Sequence, residues 1–296
     1  MPCRRESSMR RFKIQKQGAN IALFRQGKIM NYKKITSLSN QKIKELLDIR
    51  RRKGRDKQSP FIIEGPHLIE TALNSGAQIN DVLFRASFSS KENGQQLLRR
   101  LSKHTKNVFE VSEHIMARIA DTETTQGIVA VSASRSLSLE DVRPGAETLI
   151  VVIDGVQDPG NLGTIIRTSD AAAADAVILL PGTCDAFMQK TVRSTAGSIF
   201  NIPVIESDLQ PLLKWLCLNK IKLAVTSLDT DKTIFEEQLE GPLALVFGNE
   251  AHGVCKEIRS AADLILKVPI YGQAESLNVA SAAAVCLYEA LRQRRK

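Results

Sequence analysis

Three polar stretches interrupt the apolar second half of this 296-residue chain. The first reads DGVQDPGNLGTIIR and holds Asp154, Gly155, Gly160, Asn161, Gly163 and Arg167. Glycines let a backbone approach a ligand, and a helix N-terminus attracts anions. The spacing matches neither G-x-G-x-x-G nor G-x-x-x-x-G-K-[ST], so neither nucleotide fingerprint is met, and a plain tight turn is the alternative. Arg167 follows Asn161 by six residues in an otherwise small and apolar segment. Its neighbours Ile165, Ile166 and Ala171 to Ala174 read as buried, and a cation among them needs a partner. That partner is either Asp170, three residues on, or a phosphate that the guanidinium clamps.

The second stretch, GNEAHGV, supplies Gly248, Glu250 and His252. Glu250 either caps a helix or meets a cationic ligand or Arg167. His252 reads as a solvent-facing turn residue, with a general base as the alternative. The third stretch is YGQAESLNVASAAA. Ser276 suits an N-cap, and Asn278 then falls in the first helical turn. Ala280, Ala282, Ala283 and Ala284 follow, so something packs close to that helix's backbone.

These stretches need a scaffold. In open parallel sheets, ligands collect at the carboxyl ends of the strands. The second half alternates near-continuous apolar runs with helical patterns: 148–156, 176–182, 202–207, 222–229, 242–250 and 264–270 read as strands. Such runs indicate a parallel sheet covered on both faces. A long helix closes the chain. Residues 33–133 form a smaller α/β domain, from the helix SNQKIKELLDIRRRKGR through PFIIEG and PHLIETALNSG to QGIVAVSA. Residues 134–147 are polar with Pro144 and Gly145 and read as a linker, so the second domain spans 148–296. Residues 1–32 read as a basic flexible tail, within which Met30 is a possible true start. A transit peptide is disfavoured by its weak apolar face.

Charge is unevenly spread. Residues 1–60 hold 18 Lys and Arg against 4 Asp and Glu, so the formal +9 belongs to this end. A concentrated basic segment suits a polyanion such as RNA; a solvated arm is the alternative. Apolar residues at 43% and charged residues at 25% exclude wholesale disorder, and no uncharged apolar run is long enough to span a membrane. Five scattered cysteines without a C-x-x-C pair point to reduced thiols, a cytoplasmic setting and no structural metal.

Taken together and in order, NLGTIIRTSDAAAADAVIL, LVFGNEAHGV and VPIYGQAESLNVASAAAVCLYEALRQ resemble the three motifs of the SpoU (TrmH-like) RNA 2′-O-ribose methyltransferases of the SPOUT class. The resemblance covers 148–292, and FIIEGPHLIETAL is similar to the ribosomal-protein-like RNA substrate-binding domain that many of these enzymes carry. It implies a SPOUT methyltransferase domain with a C-terminal trefoil knot, an obligate homodimer, and S-adenosyl-L-methionine as cofactor. Carried over by position, the catalytic set is Asn161, Arg167, Glu250, Ser276 and Asn278. Backbone groups around Thr226, Ser227, Leu228, Gly248, Val268, Ile270 and Leu277 hold the cofactor. VPIYG departs from the more usual IPMxG, and His252 falls at a variable position. The implied substrate is large-subunit (23S) ribosomal RNA, with tRNA as the alternative. A non-catalytic RNA-binding protein is disfavoured by the intact motif set, and a nicotinamide dehydrogenase by the missing glycine fingerprint.

Overall fold

The computed structural model describes residues 20–22, 31–51 and 59–295. Most of the stretch read as a tail, and Arg52 to Arg55 of the basic cluster, lie outside them. Two six-stranded sheets divide the described chain.

The first sheet is built from β1 (Asn20–Ala22), β2 (Asn31–Ile35), β3 (Phe61–Glu64), β4 (Ile79–Phe84), β5 (Val108–Val111) and β6 (Ile128–Ser132), in the order β1-β2-β5-β4-β6-β3. It is mixed. β2, β5 and β4 run parallel, while β1, β6 and β3 pair antiparallel with their neighbours. Helices α1 (Gln41–Arg51), α2 (Pro66–Asn74), α3 (Ala86–Ser89), α4 (Glu92–Leu101) and α5 (Glu113–Ile119) connect the strands. Asn40 rather than Ser39 caps α1, its Oδ1 accepting from the Lys42 N–H at 2.9 Å. The α1 face seats Ile43 and Leu46 in the core at 0% and 1% exposure. β1, inside the stretch read as a tail, pairs antiparallel with β2.

The second sheet is parallel throughout. Its strands are β7 (Leu149–Asp154), β8 (Ala176–Leu179), β9 (Val204–Glu206), β10 (Lys222–Thr226), β11 (Leu243–Gly248) and β12 (Leu264–Leu266), ordered β12-β10-β11-β7-β8-β9. The six apolar runs in the sequence become these six strands. Helices α6 (Pro159–Ala171), α7 (Gln189–Ser194), α8 (Leu209–Leu218), α9 (Lys256–Ala261) and α10 (Val279–Arg294) complete the layers. From β7 the chain moves outward through β8 and β9, then returns to lay β10 to β12 on the other side. The strand order therefore reverses between β7 and β11, where a parallel sheet opens a crevice at its carboxyl edge.

Two close approaches set the helices of this crevice. A Cβ on Gly163 would lie 2.6 Å from the Thr191 carbonyl oxygen, so α6 meets α7 nearly backbone to backbone. The alanines of α10 do the same toward α6, with Ala280 and Ala283 at 5% and 0% exposure. The two sheets share an apolar seam: Phe61 of β3 packs on Phe187 and Phe200, with ring centroids 4.9 and 6.0 Å apart. Arg193 of α7 adds an ion pair to Asp121 at 3.1 Å, and Arg50 reaches the same carboxylate at 3.8 Å. Among the described residues, no helix is long and apolar enough to cross a membrane.

Candidate functional site

Asn161, Glu250 and Asn278 come from three separate loops and meet at the crevice. The segment Asp158-Pro159-Gly160-Asn161 starts α6 as its residue types dictate: Asp158 is the N-cap and Pro159 occupies the first turn. The Asp158 Oδ1 accepts from the Asn161 N–H at 2.9 Å, which fixes where the Asn161 side chain leaves the backbone. The Asn161 Nδ2 donates to Glu250 Oε1 at 2.9 Å, and its Oδ1 accepts from Asn278 Nδ2 at 2.9 Å. Glu250 accepts in addition from the backbone N–H groups of Gln157 (3.1 Å) and Asp158 (3.2 Å).

Glu250 reaches this position because β11 ends in a tight turn. Asn249 and Gly253 exchange backbone hydrogen bonds of 3.0 and 2.9 Å, and a Cβ on Gly248 would stand 2.2 Å from the Gly253 carbonyl carbon. Only glycine fits at 248. The Asn249 side chain stitches the turn to the first loop: its Nδ2 donates to the Gly155 carbonyl at 2.7 Å, and its Oδ1 accepts from the Ala251 and His252 N–H groups. Asp154 adds a second stitch by accepting from the Cys255 N–H at 2.7 Å.

The electrostatics follow from these contacts. Partial burial raises the Glu250 pKa, but donation from Asn161, Gln157 and Asp158 outweighs it and holds the carboxyl below its ordinary value. The Asn161 backbone N–H, then Lys190 at 3.2 Å, hold Asp158 low as well. Burial, with Glu250 and Asp158 nearby, pushes the Cys184 thiol up to about 11.

Beside the cluster lies a cavity of about 640 Å³, within the ordinary range for a small-molecule site. Thr226, Ser227, Leu228, Gly248, Val268, Ile270 and Leu277 all line it, as do Glu250, Ser276 and Asn278. The lining combines an apolar wall with three carboxylates (Asp229, Glu250, Glu275) and two cations (Arg259, Lys267), which suits a nucleoside carrying charges of both signs. Gly248, which has no side chain, lines the cavity with backbone alone. The residues present therefore fit a sulfonium nucleoside.

Several placements differ from the sequence reading. The N-cap of α10 is Asn278, not Ser276. Its Oδ1 accepts from the Ala280 and Ser281 N–H groups, so the helix begins two residues later than expected. Ser276 lies in the exposed loop before it. Arg167 is exposed although Ile165 and Ile166 beside it are buried, because its position on α6 points away from the sheet. Among the described residues it has no hydrogen bond or ion pair. Asp170, its expected partner, instead accepts from Asn201 Nδ2 at 3.2 Å. His252 lies exposed in the turn after Glu250. Sequence reasoning passed over Asn249, Asp158 and Lys190. The DPG run of a capped helix start was the available signal for Asp158; the cross-loop contacts of Asn249 left none.

Comparison with known proteins defines the class. Residues 148–288 match the SpoU rRNA Methylase family, and residues 40–130 match the MRM3-like substrate binding domain. The chain is 40% identical over 259 residues to the 23S rRNA (guanosine(2553)-2′-O)-methyltransferase RlmP of Bacillus subtilis, covering 86% of this chain and 98% of that one. Among solved structures it is similar to the AdoMet-bound rRNA methyltransferase from Sinorhizobium meliloti, with a TM-score of 0.80 at 32% identity over 88% of this chain and 98% of the other. It is also similar to the SpoU methyltransferase AviRb from Streptomyces viridochromogenes in complex with AdoMet, at a TM-score of 0.79 and 26% identity over 86% and 98%. The chain belongs to the SpoU rRNA methylase family.

Proposed function

We propose that this chain methylates a ribose 2′-hydroxyl of large-subunit (23S) ribosomal RNA. It is an S-adenosylmethionine-dependent RNA ribose 2′-O-methyltransferase. The observation that carries this reading is the Asn161–Glu250–Asn278 cluster opening beside a cavity lined by the three cofactor loops. S-adenosylmethionine supplies a methyl group on a positively charged sulfur, already bonded to a good leaving group. The protein's task is then alignment and loss of the hydroxyl proton, and alignment alone can remove several kcal/mol of barrier.

Each site residue has a part in that task. Backbone groups of Thr226, Ser227, Leu228, Gly248, Val268, Ile270 and Leu277 hold the cofactor. Glu250 fixes Asn161, and Asn278 holds it from the other side, so the two amides present a rigid edge to the acceptor ribose. Ser276 orients the loop that closes over it. Arg167 binds the phosphate beside the target ribose and stabilises developing alkoxide charge. Its exposure, and its lack of an ion pair among the described residues, leave it open to such a phosphate. The proton leaves to phosphate or water.

The domains divide the work: 33–133, extended by β1 and the first residues of β2, binds the RNA substrate, 134–147 joins it, and 148–296 carries the chemistry, with the remainder of 1–32 as a basic extension. Lys190 and Arg193 on α7 and Arg50 on α1 form a basic path from the N-terminus of α6 across the seam, suited to RNA phosphates. The enzyme works as a homodimer in the cytoplasm. Tyr288 of α10, 51% exposed, supports a second copy against this helix. The last segment threads a trefoil knot. In support, residues 232–234 pair with Lys267, and Glu237 to Leu239 bond to Gln293 near the end of α10.

The test is methyl transfer from labelled S-adenosylmethionine into purified 23S rRNA, 16S rRNA and tRNA. Label confined to 23S rRNA is expected. Label in tRNA alone would overturn the substrate assignment, and none in any RNA would overturn the activity.

A further inference from the structure

One ion pair crosses the cofactor cavity. Arg259 on α9 donates from Nη2 to Asp229 Oδ2 at 3.0 Å, and both residues line the cavity. Asp229 is held in the loop after β10, where its N–H donates to Ser227 Oγ at 3.2 Å and the next residue, Thr230, ties to the Ile265 carbonyl. The pair thus joins two walls from elements about thirty residues apart. Its side chains are 35% and 88% exposed, and a pair so open to water contributes little to stability. The fold does not need it.

The chemistry of the ligand suggests what does. A sulfonium nucleoside of this kind has three parts: a purine with apolar faces, a positively charged sulfur, and an α-amino-acid end bearing an ammonium and a carboxylate side by side. Val268, Ile270 and Leu277 offer an apolar wall to the purine. Glu250 and Asn278 mark the side of the acceptor cluster, where the sulfur must face. The zwitterion remains. One charge alone would satisfy half of it, whereas adjacent opposite charges satisfy both halves. The cavity's lysine ammonium, Lys267, is directed at Asp231 at 3.9 Å.

We propose that Arg259 and Asp229 together bind the amino-acid end of the cofactor, Arg259 taking its carboxylate and Asp229 its ammonium. Arginine suits the carboxylate because its fork can bind both oxygens. The inference rests on the cofactor assignment above, and it adds two residues that none of the three sequence motifs contains.

Calorimetry with two probes tests it. S-adenosylhomocysteine has the amino-acid end; 5′-methylthioadenosine keeps the nucleoside and thioether but lacks that end. The unaltered protein should bind the first roughly 10-fold or more tighter than the second, as charge-assisted contacts allow. Arg259→Ala should weaken S-adenosylhomocysteine by about 10-fold and leave 5′-methylthioadenosine within about 2-fold, with Arg259→Lys between. Asp229→Asn should weaken the first probe alone, which keeps the test informative if Arg259→Ala does not fold. Unchanged S-adenosylhomocysteine affinity in these variants, or equal loss of both probes, would overturn the proposal. Binding of neither probe by the unaltered protein would instead overturn the cofactor assignment.

Discussion

Asn161 and Arg167 sit six residues apart on one helix in opposite conditions. Asn161 spends its side-chain donor on Glu250 and its acceptor on Asn278. Arg167 is exposed and, among the described residues, bonds to nothing. One end of α6 is a finished part of the fold; the other is complete only when something outside the chain arrives. Holding a ligand-shaped cavity requires internal bonds that persist, while the exposed Arg167 is left open to an incoming RNA phosphate. A substitution at the first end should therefore disturb cofactor binding and stability, and one at the second should disturb turnover alone.

The largest effect is expected at Arg167. Arg167→Ala should lower kcat by roughly 10²–10³-fold or more, as loss of a charge-stabilising donor does. Its S-adenosylmethionine affinity by calorimetry should stay nearly intact. Comparable losses in both would erase the contrast between the two ends. Gly248→Ala comes next, because its Cβ would sit 2.2 Å from backbone at Gly253. The turn must open, and cofactor affinity should fall by about 10-fold or more with several kcal/mol of stability, both measurable by thermal shift. Glu250→Gln should cost about 1 kcal/mol in urea unfolding, since the charge that gathers three donors is gone.

The pH profile sharpens the same point. Glu250 has a folded-state pKa below its unfolded one, so its contribution is present at neutral pH and is lost as pH falls through that depressed value. Cofactor affinity should hold down to the ordinary carboxylate range and fall only beneath it. Glu250→Gln should flatten that limb. An equal acid limb in the variant would assign the titration elsewhere. The smallest effect concerns Cys184, whose thiol is pushed up to about 11. It should resist alkylation at pH 8, as peptide mass mapping would record.

The basic N-terminal end needs a narrower probe than its composition suggests. Removing residues 1–60 would strip Tyr32, Ile35, Ile43 and Leu46 from the core. Deleting 1–19 spares these and removes six of the basic residues. RNA affinity should fall and its dependence on salt should flatten, while cofactor affinity stays unchanged.

Legibility in the sequence followed the physics of each element. Strands β7, β8 and β11 were readable because strands buried on both faces must be continuously apolar, and the outer strands β9, β10 and β12 keep short apolar runs. α9 was not, since only Ile258 of its six residues is buried and the rest carry no periodic signal. Helix α7 is cut short at its carboxyl end because Ala196 and Gly197 take positive φ angles of 50° and 107°. The first sheet's mixed pairing also escaped: strand direction between β6 and its neighbours β3 and β4 has no signature in the apolar pattern, and β1 is too short to announce itself. At the site, motif resemblance named Asn161, Glu250 and Asn278. Their mutual bonds, across 89 and 117 residues, are products of the strand reversal between β7 and β11. Periodicity cannot see such contacts. Arg167 shows the reverse failure, where apolar neighbours suggested burial but only one side of the helix faces the sheet.

One chemical property tests the central claim most directly. A 2′-O-methyl group removes the hydroxyl that alkali uses to cut the adjacent RNA linkage. After incubation of 23S rRNA with the protein and methyl-labelled S-adenosylmethionine, complete alkaline hydrolysis should leave the label in an alkali-resistant dinucleotide. Label recovered in mononucleotides would place the methyl on a base and contradict ribose methylation.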